Sequence, residues 1–96
     1  MPVPSDRGVF DWDEQNLDHI GRHHLNPADV EEALADPRRI QSPAQRGEEP
    51  RRAVIGATES GQLLFMVYTV RAGHIRLVTA RDAVRWERRR YETKGK

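Results

Sequence analysis

The sequence has no cysteine, only two lysines and no long apolar run, and these absences exclude several classes of protein. Without cysteine there is no disulfide framework, no thiolate nucleophile and no cysteine-based zinc or iron–sulfur site. Because small secreted domains generally depend on disulfides, we expect a reducing, cytoplasmic location. No apolar run approaches the roughly 18–20 residues of a membrane span, and the first residues lack the basic and apolar regions of a signal peptide. The sequence therefore predicts a soluble cytoplasmic protein with no membrane partner.

A length of 96 residues is that of one domain. We find no internal repeat and no linker composition along the chain. We therefore predict a single domain over residues 1–96, with 1–8 as a flexible lead and 93–96 as a flexible tail.

The net charge of +1 conceals two charge asymmetries. Fourteen of the sixteen basic residues are arginine, and residues 1–36 sum to −7 whereas residues 37–96 sum to +8. Arginine binds phosphate with a planar, two-pronged fork, so this preference favours phosphate contacts. A solvated arginine-rich surface without a ligand is the alternative interpretation.

The first third of the chain predicts a short strand and two helices. Val9 to Trp12 alternates apolar and polar residues, as a strand does. Asp11 is predicted to cap a helix over residues 13–23. Asn26 and the following proline predict the start of a second helix, which Asp36-Pro37 ends.

The rest of the chain predicts a loop, a meander and a final helix. Residues 38–50 are polar and read as loop, with a possible short strand around Ile40. Strand patterns over 51–58, 62–70 and 74–79 are separated by two tight turns, which is typical of antiparallel hairpins. After Ala80 a helical pattern places Ala83, Val84, Glu87 and Tyr91 on one face. The predicted fold is α+β: two N-terminal helices and a C-terminal helix packed on an antiparallel β-meander.

Two groups of side chains in the sequence are candidates for phosphate binding or catalysis, and the first is rich in arginine. Arg76, Arg81, Glu87 and Arg88 collect around the last strand and helix, with Arg81 predicted at the turn where helix amides favour phosphate. A salt-bridge network that pins the helix to the sheet is the alternative.

The second cluster is histidine. His19 and His23 are spaced i, i+4, so both rings share one helix face as a metal site requires. No third ligand is apparent, however, and we predict neither a metal nor a cofactor. A surface position or an acid–base role for His23 remains open.

Several short motifs, in order, resemble the BrnT toxin family. The similarity runs from about Val9 to Glu92, and its most specific part is the last motif. The motifs are Phe10-x-Trp12-Asp13, Ile20-x-Arg22-His23, Asp36-Pro37, Glu49-x-Arg51 with Ile55-Gly56, and Thr79-Ala80-Arg81-x-Ala83-x-x-x-Glu87-Arg88-x-x-Tyr91.

The resemblance implies a RelE-like ribonuclease of a type II toxin–antitoxin system. Its implied partners are an RNA substrate and a ribbon–helix–helix, BrnA-like antitoxin, with operator DNA bound only through the toxin–antitoxin complex. Arg22-His23 occupies the place of a usual Lys-His pair. The chain departs from the family pattern at Gln15, where lysine is common, at His24, where glycine is frequent, and at Pro27, where an aromatic is usual.

These observations give a set of predicted site residues. We predict catalytic roles for His23, Glu49, Arg51 and Arg81, with Glu49 or His23 as the base and the other as the acid, and Arg88 oriented by Glu87. We predict substrate-binding roles for Arg22, Arg76, Glu87, Arg88 and Tyr91. The alternative is a degenerate, non-catalytic module that binds nucleic acid or protein through its basic sheet and last helix.

Overall fold

The computed structural model describes residues 10–44, 47 and 49–94. The predicted lead at 1–8, Val9 and the last two residues of the predicted tail lie outside the described residues. In chain order the elements are α1 (Glu14–Arg22), α2 (Pro27–Leu34), β1 (Ile40–Pro43), β2 (Arg52–Ala57), β3 (Leu63–Arg71), β4 (His74–Asp82) and α3 (Arg85–Thr93). The predicted α+β class is confirmed. No helix in the described part of the chain is long and apolar enough to span a membrane.

The helix boundaries follow from local hydrogen bonds at their ends. Asp13 caps α1 by accepting from the Asn16 amide at 2.8 Å, so the predicted Asp11 cap is wrong by two residues. Asn26 begins α2 through a reciprocal capping box with Asp29, as its sequence indicates. His24 ends α1 with a left-handed φ of 61°, a conformation that favours glycine.

The sheet is an antiparallel meander in the order β1-β2-β3-β4. Both predicted hairpins are present, and β1 lies where a short strand around Ile40 was considered. The predicted strand around Phe10 is reduced to a single parallel bridge with Ile75. β4 continues to Asp82, three residues beyond its predicted end, because Arg81 pairs with Phe65 and Asp82 with Leu64.

One face of the sheet packs against α1 and α2 to form the main core. This core contains Ile20 and Val30 from the helices and Val54, Met66 and Ala80 from the sheet. The contact between α2 and β2 is very close at Gly56. A Cβ atom there would lie 2.2 Å from the carbonyl oxygen of Ala33, so only glycine fits.

A β-bulge at Val78 sets which side chains of β4 reach the opposite face. Val67 pairs with Thr79 and Tyr68 with Leu77, so Val78 is the extra residue between them. Without the bulge Thr79 would follow Leu77 onto the core face, because strand side chains alternate. With it, Thr79 shares a row with Val67 and Ala53 on the face away from α1 and α2, which we call the open face.

α3 covers one end of the open face. The row beneath it contains Ile55, Phe65 and Arg81, and Arg81 reaches Glu87 of α3 from that row. Helical structure continues through Thr93, and the Lys94 ammonium donates to the carbonyl of Arg39.

Candidate functional site

The uncovered part of the open face holds a shallow cavity of about 330 Å³. Its apolar floor includes Val67 and Val78, and Arg51 and Thr79 supply polar groups at its margins. Arg51 also lines a second cavity of about 320 Å³ at the strand ends, beside Tyr68. The open face therefore combines an apolar floor with a cationic side chain, the arrangement that a small ligand site requires.

Arg51 and Glu49 lie side by side, as their spacing in the sequence suggests. Glu49 accepts from Arg51 at 3.3 Å and from Arg71 at 2.7 and 3.0 Å. The Nε of Arg51 is buried and has no hydrogen-bond partner among the described residues. Because guanidinium carries five donors, Arg51 keeps donors available for an anion on the open face.

Glu49 is held as an anion by its arginine partners. The hydrogen bond from Arg71 lowers the pKa of its carboxyl, burial opposes this, and Arg51 lowers the pKa further. A general base works best with a pKa near the working pH. Glu49 is therefore better suited to holding Arg51 and Arg71 in place than to moving protons at neutral pH.

Arg76 lies one row away from Thr79, opposite Thr69, and is paired with acidic residues from the N-terminal segment. It donates to Asp13 at 2.9 Å and to Asp11 at 3.4 Å. This contact joins β4 to the start of α1. A substrate phosphate at Arg76 would have to compete with two carboxylates.

Arg81 and Glu87 form a two-pronged ion pair that joins β4 to α3. The two guanidinium nitrogens of Arg81 donate to the Glu87 carboxylate at 2.9 and 3.0 Å, and the guanidinium lies over the Phe65 ring at 4.4 Å. Only 1% of the Glu87 side chain is exposed. Glu87 also accepts from the amide of Val84, which starts the helix. This geometry favours the structural alternative raised for these residues.

The expected orientation of Arg88 by Glu87 is not found in the described residues. The Glu87 carboxylate pairs with Arg81, while the Nε of Arg88 donates to the carbonyl of Ala83 at 3.1 Å. Likewise, Arg81 lies within β4 and not at the first turn of α3, which begins at Arg85. Its guanidinium nevertheless reaches the first turn of α3 through Glu87, and the prediction that helix amides assist Arg81 stays a prediction.

Tyr91 of α3 is half-buried and hydrogen-bonds to another element of the fold. Its hydroxyl donates to Asp36 at 2.6 Å, and burial together with this hydrogen bond raises the pKa of Tyr91 to about 12. Asp36 also accepts from the amides of Arg38 and Ala57. Burial raises the pKa of Asp36, but these hydrogen bonds outweigh it and the net effect is a lowered pKa. Tyr91 thus ties α3 to the end of α2.

His19 of α1 reaches the margin of the open face. A ring nitrogen of His19, Nε2, lies 2.8 Å from the hydroxyl oxygen of Thr79. The His23 ring is 5.4 Å from the His19 ring, and His23 and Arg22 are exposed at the end of α1. In the described part of the chain, no three histidine or acidic side chains are grouped closely enough to hold a metal ion.

The structure brings some predicted site residues together and separates others. Glu49, Arg51, Arg76 and Arg81 are all associated with the open face, whereas Tyr91 points towards Asp36. The contact between His19 and Thr79 was not predicted. It depends on the Val78 bulge, and an extra residue in a strand leaves no distinct mark in the sequence.

Comparison with known proteins adds one finding. The family described as the ribonuclease toxin BrnT of type II toxin–antitoxin systems matches residues 12–87, which is most of the chain. No curated protein matches the chain.

Proposed function

The chain belongs to the BrnT family of ribonuclease toxins, and we propose that it cleaves RNA on its open face without a metal ion, by attack of the substrate's own 2′-hydroxyl. The observation that carries this proposal is the position of Arg51 at the cavity on the open face. Arg51 lines the cavity, is held by Glu49 and has a buried Nε without a partner among the described residues. The terminal nitrogens of Arg51 carry donors beyond the one bonded to Glu49, and 30% of the side chain is exposed, so a phosphodiester over the cavity can accept from them.

The reaction needs a base, a cationic group and a proton for the leaving oxygen. The 2′-oxygen bonds to phosphorus while the bond from phosphorus to the 5′-oxygen breaks. The 2′-hydroxyl proton passes to the base, and the 5′-oxygen takes up a proton. The products end in a 2′,3′-cyclic phosphate and a 5′-hydroxyl.

The open face is wide enough to hold a phosphodiester between Arg51 on one side and an α1 imidazole on the other. Ala53 and Thr79 both pair with Val67, so they lie two strand spacings apart, about 10 Å. A phosphodiester over Val67 would have Arg51 on the β2 side and the α1 histidines on the β4 side. Arg51 would stabilise the charge that develops on the phosphate, and an α1 imidazole would handle the proton.

The proposal includes the toxin's partners. A basic open face rich in arginine suits RNA as substrate and an acidic segment of a ribbon–helix–helix antitoxin as inhibitor. Operator DNA is then bound through the complex of the two proteins. A RelE-like arrangement and a cytoplasmic location complete the proposal.

A non-catalytic binding module is the second candidate, and the ion pairs favour it. Arg51, Arg76 and Arg81 each contact a carboxylate, so each already has a structural role that does not depend on catalysis. Such a module would lose RNA affinity in small, salt-dependent steps as arginines are removed. A ribonuclease would lose cleavage sharply at one residue while RNA affinity changed little.

Induced expression of Arg51→Ala, with growth and total RNA integrity as readouts, tests the proposal. The matched control is Arg52→Ala, because Arg52 is exposed, adjacent in the chain and on the other face of the sheet, opposite Tyr68. We expect wild type and Arg52→Ala to arrest growth and degrade RNA, and Arg51→Ala to do neither. Degradation by folded Arg51→Ala at the wild-type rate would refute the role of Arg51.

A further inference from the structure

The contact of His19 with Thr79 connects helix α1 to the open face. Asn16 lies one turn earlier on α1 and donates to the backbone carbonyl of Leu77 at 2.8 Å. That bond already holds α1 on the exposed edge of β4 and satisfies a carbonyl group of the strand. His19, by contrast, contacts a side-chain hydroxyl, so its contact satisfies no backbone group.

The Val78 bulge places this hydroxyl on the open face. Thr79 lines the same cavity as Arg51 and Val67. Nε2 of His19, at 2.8 Å from Thr79, therefore reaches the margin of that cavity. His23, the histidine singled out from the sequence, contacts the His19 ring and is itself exposed.

Resting on the ribonuclease function proposed above, we propose that His19 is the catalytic base of this chain. On substrate binding the 2′-hydroxyl takes the place of the Thr79 hydroxyl at the neutral Nε2, which then accepts the 2′-hydroxyl proton while the 2′-oxygen bonds to phosphorus and the 5′-oxygen leaves. Water supplies the proton for the 5′-oxygen, and His19 returns its proton to solvent. Thr79 is a positioning residue that directs Nε2 towards the open face, and His23 supports the ring of His19.

The charged surroundings of His19 fit this role. The titratable neighbour of its ring is His23, which directly follows α1. From β4 two charged rows flank that of Thr79: the row of Arg76, whose charge is offset by Asp11 and Asp13, and the row of Arg81, which is paired with Glu87. Glu49, the other candidate base, has a lowered pKa because it binds Arg71 and Arg51. An imidazole is the side chain that most often serves as a general base.

The test measures single-turnover RNA cleavage against pH for the full chain. His19→Gln keeps a polar group near Thr79 but cannot accept a proton. We expect it to lose about 100-fold or more in rate, the size of a general-base effect. We also expect it to lose the acid-side fall in rate that wild type shows. His74→Gln is the matched control, because His74 is exposed at the start of β4 and its ring contacts the carbonyl of Ala72.

The outcomes separate this inference from the proposed function. Cleavage by wild type and His19→Gln at equal rates overturns the role of His19 and leaves the ribonuclease function standing. Loss of the acid limb in His23→Gln alone assigns the base to His23 and equally overturns it. Failure of wild type to cleave RNA overturns the proposed function and the catalytic role together.

A second measurement covers the case in which His19→Gln does not fold. The histidine ring signals of wild type are followed by NMR while a 2′-O-methyl RNA oligonucleotide, which cannot be cleaved, is added. We expect the titration midpoint of His19 to move and that of His74 to stay. An unmoved His19 signal on a saturated complex would overturn the inference.

Discussion

Arg81→Ala is expected to destabilise the fold strongly before it reveals anything about catalysis. The substitution removes both hydrogen bonds to Glu87, at 2.9 and 3.0 Å, and the contact of the guanidinium with the Phe65 ring. Glu87, of whose side chain only 1% is exposed in the wild-type protein, then keeps the amide of Val84 as its remaining hydrogen-bond donor. Leaving one member of a buried ion pair unpaired costs about 3–5 kcal/mol. A domain of this size has a total stability of about 5–15 kcal/mol.

Urea unfolding followed by circular dichroism measures this cost directly. Arg81→Met combined with Glu87→Leu is the informative comparison, because replacing both charges by apolar groups is often neutral or stabilising. We expect Arg81→Ala to lose about 3 kcal/mol or more and the double variant to recover most of it. A loss below about 1 kcal/mol for Arg81→Ala would refute the structural role. RNA cleavage by the folded double variant would show that Arg81 is not needed for the chemistry.

Two further predictions concern close packing and pH. Gly56→Ala should lower the free energy of unfolding by about 3 kcal/mol or more in a urea titration. The reason is that its Cβ would lie 2.2 Å from the carbonyl oxygen of Ala33. A change under about 1 kcal/mol would show that α2 can move away. The pKa of Asp36 is lowered, and that of Tyr91 is raised to about 12. The contact between them therefore stabilises the fold fully between the ordinary pKa of Asp, near 4, and the ordinary pKa of Tyr, near 10. Stability should therefore fall below about pH 4 and again from pH 10 to 12, and Tyr91→Phe should flatten the alkaline fall; an unchanged alkaline fall in that variant would contradict the assignment.

The sequence predicted the elements of the fold better than their ends. Asn26 followed by proline marked the start of α2 because capping depends on residues adjacent in the chain. The start of α1 was misplaced because two aspartates, Asp11 and Asp13, are both competent caps. Asp13 caps the helix, and both aspartates also bind Arg76, a contact across more than sixty residues that no local pattern reveals.

The sequence predicted which residues contribute to the candidate site but not which of them contact one another across the fold. Residue spacing placed Glu49 beside Arg51, and the pair is present. It could not show that Glu87 would be buried against Arg81, or that the Val78 bulge would bring Thr79 to His19. Such pairings depend on strand register, which is set by packing of the whole sheet.

The near-neutral net charge also has a structural explanation. The acidic first third and the basic remainder meet where Asp11 and Asp13 bind Arg76, and where Asp36 accepts from Tyr91 on the basic last helix. Part of the charge asymmetry therefore holds the fold together. The arginine that retains unused donors at the open-face cavity, Arg51, is the one on which the proposed function depends.

The most direct test of the ribonuclease proposal is the chemistry of the RNA ends that the purified chain produces in the presence of EDTA. Attack by the 2′-hydroxyl predicts 2′,3′-cyclic phosphate and 5′-hydroxyl ends, and a single 2′-deoxy substitution at the cleaved nucleotide should abolish the cut there. Ends carrying a 5′-phosphate, or cleavage at the 2′-deoxy position, would contradict the account.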